Sequence, residues 1–229
     1  MGVAFAVGGF AVGIVLASLT AAVAGQLVGY RSSGSGPMPV AVTCADVAGL
    51  WVGLVGAALW WSRRHGSGRL GTDFGYRLGA WWDLLLGAAV GLACQYGLVV
   101  LYRPFEHFDH NVTKQLGQPA QKVVGAAHSN LSLVVLLLFL AVGAPLAEEL
   151  FFRGLLLRSL VRWTNPAVGV VVSGLLFGLA HFEPLQFPGL AVFGIVLGAL
   201  AHRLGRLGPG IAAHVSFNTV AVLSTAHFH

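Results

Sequence analysis

A chain of 229 residues in which only 9% are Asp, Glu, Lys or Arg and 56% are hydrophobic, with a mean hydropathy of +0.80, cannot cover a water-soluble surface, where about a quarter of the residues are ordinarily charged. At roughly 20 residues per span it allows about seven or eight transmembrane helices and no sizeable soluble domain. The net charge of +5 then reports topology, and no nucleic-acid partner is expected.

Apolar runs fall at 3–28, 40–62, 79–102, 131–152, 166–182, 188–202 and 209–226, which predicts an all-α polytopic bundle forming a single integral membrane domain. The first run ends in Ala22-Val23-Ala24, which resembles a signal-peptidase site. It lacks a basic leading region, however, and is too long for a cleaved leader, so a retained helix is expected. Arg31 to Pro37 read as a flexible loop. Cys44 and Cys94 lie in apolar stretches without metal-ligand spacing and read as free buried thiols.

Nine of the thirteen basic residues follow the second, fourth and sixth runs: Arg63, Arg64, Arg69, Arg77, Arg153, Arg158, Arg162, Arg203 and Arg206. Basic residues in short loops are retained on the cytoplasmic side, so the N-terminus is predicted inside and, with seven spans, the C-terminus outside. Trp60, Trp61, Trp81, Trp82 and Trp163 flank the same loops, as an interfacial belt does. The polar stretch from Arg103 to Asn130 holds Glu106, His107, Asp109 and His110. It reads as a solvated outer loop with a short amphipathic helix, because no third metal ligand is specified by spacing. Its Asn111-Val112-Thr113 sequon matters only in a secretory pathway.

Ionisable groups inside apolar runs are costly and mark function. The first such group is Glu148-Glu149-x-x-x-Arg153. Glu149 and Arg153 are four apart and can pair, while Glu148 is turned about 100° away and remains available to accept and return a proton. The second is Phe177-x-x-x-His181. If the chain turns near Thr164-Asn165-Pro166, Glu148 lies 16 residues before Thr164 and His181 lies 17 after it, so antiparallel helices bring the two to one height. That height is roughly 25 Å from the turn, so the hairpin must protrude or bend, for which Pro145 is suited. The third is His214-x-x-x-Asn218, on one helix face, fit for chemistry or for an interhelical hydrogen bond. Asp46, Asp83, Gln95 and His202 sit singly or near helix ends and read as structural or interfacial.

In this order the three motifs resemble the signature of the type II CAAX prenyl endopeptidases, also known as the CAAX protease and bacteriocin-processing family or abortive-infection proteins. The likeness covers roughly residues 131–224, with residues 1–130 as variable N-terminal helices and outer loop and 131–226 as the catalytic helices. It implies an intramembrane peptidase in the plasma membrane of a bacterium, acting on a peptide or a lipid-modified protein terminus and surrounded by membrane lipid. By that resemblance Glu148 and His181 activate a water, His214 and Asn218 stabilise the oxyanion, and Glu149 with Arg153 orient the site. Glu148, His181 and His214 would supply a three-ligand zinc site if the enzyme were metal-dependent, and a metal-free glutamate mechanism is the preferred reading. No H-E-x-x-H, G-x-S-G or paired transmembrane aspartate is present in the spans. The competing reading is a non-catalytic bacteriocin-immunity or small transport protein whose polar cluster binds a peptide or carries protons.

Overall fold

The computed structural model describes residues 2–31, 37–107 and 110–226, without the side chains of Thr113 and Ala226. The loop expected at 31–37 lies, from Ser32 to Gly36, outside the described residues, and so does Asp109 of the outer polar stretch. The fold is all-helical, with 82% helix and no strand among the described residues. The helices are α1 (Gly2–Leu27), α2 (Val40–His65), α3 (Leu70–Phe74), α4 (Trp82–Glu106), α5 (Val112–Val124), α6 (Asn130–Trp163), α7 (Pro166–Leu179), α8 (Phe187–Leu204) and α9 (Gly208–Ala226).

Each of the seven apolar runs falls on one helix, but among the described residues five helices are long and apolar enough to cross a membrane: α1, α2, α4, α6 and α8. Helix α7 has only 14 residues. Helix α9 has 19 but interleaves His214, Ser216, Asn218 and Thr219 with its apolar positions. Helix α6 is the opposite case, at 34 residues. Two of its stretches, Leu137–Gly143 and Glu149–Leu157, are wound as π-helix, with hydrogen bonds reaching five residues back.

Small residues close the helix seams. Gly9 and Gly13 of α1 face Gly53 and Ala57 of α2 so closely that a Cβ on Gly53 would stand 2.3 Å from Gly13 Cα, and one on Gly9 would stand 2.2 Å from Ala57 Cβ, while Gly49 meets Leu16, Ala17 and Thr20. In lipid, where apolar side chains gain nothing by leaving their surroundings, such close backbone approach is what binds helices. The same device joins α4 to α9 through Gly87 and Gly91, and α7 to α8 through Gly174 and Gly194. The outward faces carry Val7, Val15, Leu19, Leu85 and Val99, all exposed as lipid contacts are.

The three arginine-bearing stretches meet at one end of the bundle. Arg158 donates to Asp73 O and Gly205 O, Arg206 forks onto the buried Asp83 carboxylate at 2.8 and 2.9 Å, and Arg162 lies 5.7 Å over the Trp61 ring. Gly205, in the left-handed region at φ 66°, ends α8 and turns the chain so that Leu207 N–H reaches Gly75 O. Burial pushes the nearby Asp73 carboxyl up, but hydrogen bonds from the Ser62 hydroxyl and the Ser67 N–H outweigh it and hold the group below its ordinary range. Helix α5 is the amphipathic helix of the outer stretch, with Lys114 and Lys122 exposed and Val112 and Val124 buried.

The seams make a clear test. Gly53→Leu wedges α1 from α2 and should lower the melting temperature of the purified protein in detergent. Gly56→Leu, on the same helix with nothing within 4 Å of its Cβ position, should leave it nearly unchanged; equal losses would show that the seam is not what holds the pair.

Candidate active site

The site is built on α6, where the helix passes from a short α segment (Ala144–Glu148) into its second π stretch at Glu149. Glu149 and Arg153 share a face and pair at 2.8 Å, both fully buried. The guanidinium is held on three further sides. Its Nη2 donates to Gly194 O of α8 at 3.1 Å, its plane lies 4.3 Å over the Phe177 ring of α7, and Phe152 approaches at 5.9 Å. Removing a charge from water is repaid only where its donors and faces are met, as Nη1, Nη2 and one face are here, while Nε has no partner among the described residues.

The same Glu149 Oε1 accepts from His214 Nδ1 at 3.0 Å, which ties in α9. With its proton on Nδ1, His214 points Nε2 toward Glu148 Oε2, 3.8 Å away. Glu148 is half-buried, and its Oε2 has no hydrogen-bond partner among the described residues. The second oxygen of Glu149 is likewise unpartnered and faces Gly210 in the first turn of α9, where a Cβ would come within 3.2 Å. The site therefore presents a paired carboxylate that fixes an imidazole, and a second carboxylate that remains open to a reacting group.

His181 follows the end of α7. The chain does turn at Thr164–Asn165, where the Asn165 side chain accepts from Val168 N–H and caps α7. Ser173 donating to Phe152 O at 3.1 Å sets the register of the α6–α7 hairpin. His181 is half-buried, and its Nδ1 donates to Phe177 O at 2.8 Å, so Nε2 carries the lone pair. Phe177 joins the group: its ring meets His181 edge-on at 4.9 Å and His214 at 5.5 Å while its face supports Arg153. The F-x-x-x-H spacing contained this ring, but its part in touching three of the polar groups is visible only in three dimensions.

Asn218 lies one turn beyond His214, and its Nδ2 donates to Leu140 O of α6 at 2.9 Å, the interhelical bond that the sequence allowed. Among the described residues no group of three or more His, Cys, Asp and Glu side chains is disposed to hold a metal ion. Glu148 and His214 approach each other with His214 Nε2 uncommitted, but His181 joins them through Phe177 rather than as a third ligand. The trio considered for zinc does not fit that ion here, and no step below depends on one.

The buried pair can be tested without any substrate. Arg153→Met strands the Glu149 carboxylate and should cost about 3–5 kcal/mol of stability. Arg153→Met/Glu149→Met, which replaces both charges by apolar groups, should recover most of that loss in a thermal or denaturant melt.

The comparisons with known proteins fall on the same stretch of chain. Residues 130–220 match the family model described as Type II CAAX prenyl endopeptidase Rce1-like. No curated protein and no solved structure matches the chain. The matched segment begins with α6 and runs into α9, and it contains Glu148, Glu149, Arg153, His181, His214 and Asn218. Over residues 130–220 the chain is thus similar to the Rce1-like type II CAAX prenyl endopeptidases.

Proposed function

We propose that the protein is an intramembrane endopeptidase that hydrolyses a peptide bond with a carboxylate-activated water. The observation that carries this reading is the convergence of Glu148, Glu149, Arg153 and His214 inside a helical bundle, with one carboxylate neutralised and the other open. Glu148 removes a proton from water as the water oxygen bonds to the scissile carbonyl carbon. His181, with Nε2 free, shares that proton. His214, oriented by Glu149 and in turn by Arg153, meets the negative charge that develops on the carbonyl oxygen when its Nε2 is protonated as well, as an imidazolium beside two carboxylates. As the C–N bond breaks, the proton passes to the departing amine, leaving a carboxylic acid and an amine as products.

The substrate is a peptide or a lipid-modified protein terminus. An apolar groove of about 340 Å³ between α1, α6 and α7, walled by Phe10, Ile14, Phe151, Phe152, Leu176 and Leu179, runs beside Phe177 and His181 and suits a lipid chain entering from the bilayer. The end of the bundle where the arginines gather faces the cytosol. Gly2 packs near Ser159 and Trp61 at that end, which supports an N-terminus on the inside.

Cleavage of candidate peptides by purified protein tests the reading. Glu148→Gln should abolish turnover by a factor of about 10² or more while leaving the melting temperature intact, and a chelator should have no effect. Persistence of full activity in Glu148→Gln would overturn the mechanism, and a chain that binds peptides without cleaving any would be a binding or immunity protein instead. Narrowing the groove with Leu179→Trp should raise KM for lipidated peptides more than for unmodified ones.

A further inference from the structure

We propose that Asn218 is a positioning residue whose amide replaces the backbone donor that Pro145 lacks, fixing the turn of α6 that carries Glu148 and Glu149. This rests on the peptidase reading only for its activity readout.

The argument follows the hydrogen-bond register of α6. The π stretch Leu137–Gly143 is closed by N–H groups that reach the carbonyl five residues back, and the last of these is Ala144 N–H donating to Phe139 O. The next carbonyl in that series is Leu140, whose donor would be residue 145. Residue 145 is proline and has no N–H. A carbonyl left open in an apolar span is costly, because no water is at hand to satisfy it. Asn218 Nδ2 reaches Leu140 O at 2.9 Å and closes it from another helix.

The same face of α9 carries His214, one turn earlier, bonded to Glu149. The two bonds run in opposite directions along the helices: His214 meets residue 149 of α6, and Asn218 meets residue 140. Between these anchors on α6 lie Pro145 and Glu148. Asn218 and His214 therefore bracket the one stretch of α6 in which the winding changes from π to α and back. An amide with one of its two N–H groups committed to a backbone carbonyl in this way sets where Glu148 stands, a part distinct from the oxyanion role that the resemblance implies for Asn218.

A rescue experiment decides it. Asn218→Ala should lower the melting temperature of the purified protein and reduce kcat by about a hundredfold, as a displaced catalytic group does, with KM and the shape of the pH profile little changed. Pro145→Ala alone should remain near wild type. In Asn218→Ala/Pro145→Ala the new N–H of residue 145 can take the Leu140 carbonyl, and both melting temperature and kcat should largely return. If the double variant melts like wild type but turns over as slowly as Asn218→Ala, Asn218 acts on the reacting atoms and the proposal is overturned. A melting temperature unmoved by Asn218→Ala overturns it as well. Should Asn218→Ala fail to fold, recovery of folded protein in the double variant supports the proposal, and failure of both counts against it. If the wild-type protein cleaves no peptide, the peptidase reading falls, and the melting temperatures of the four chains still decide the role of Asn218.

Discussion

A guanidinium with no exposed surface, embedded among phenylalanines, determines how the second half of this chain can pack. Arg153 must have its charge met from all directions at once, and the groups that meet it come from different helices: Glu149 from its own turn of α6, the Gly194 carbonyl from α8 and the Phe177 face from α7. Glu149 then passes the requirement on to α9 by holding His214. Because a half-satisfied buried charge is far worse than none, the arrangement is close to all-or-none. Four helices are thereby fixed relative to one another around a cluster that has one spare carboxylate.

The close approach of backbones makes this network reachable. Gly194 can present its carbonyl to Arg153 because α7 and α8 meet through Gly174 and Gly194 without side chains between them. The bundle is thus held by two kinds of contact with different physics, dispersion across glycine seams and paired charges at one polar centre. Neither depends on the hydrophobic effect, which offers little between helices already immersed in lipid.

Much of this was legible in the sequence because a membrane leaves so few charges to interpret. The seven apolar runs map onto seven of the helices, and the Glu149–Arg153 pairing follows from a spacing of four. The turn at Thr164–Asn165 follows from an Asn-Pro stop. The hydropathy of a run does not state the helix's length, so α7 proved too short to count as a span by itself and α6 ran eleven residues beyond its apolar part. The α1–α2 seam could not be read from the sequence, because glycines run through every apolar stretch and only the packing shows which of them meet. What no spacing conveys is a change of winding. The π stretches alter which carbonyl lacks a donor, and only with that register in hand does Pro145 explain Asn218.

Helix α7 has one more consequence. Fourteen residues rise about 21 Å, short of the ~30 Å hydrocarbon slab. With its Asn165 cap at the arginine-lined surface, the chain from Ala180 to Gln186 ends at depth, carrying an exposed Glu183 and, at Phe182, a non-glycine residue with φ 54°. Irregular backbone at that level persists only inside protein or against an aqueous recess. A helix that stops early thus leaves irregular backbone and a carboxylate near His181 that protein or water must satisfy, so the demand for polar partners there is a property of helix length as well as of side chains.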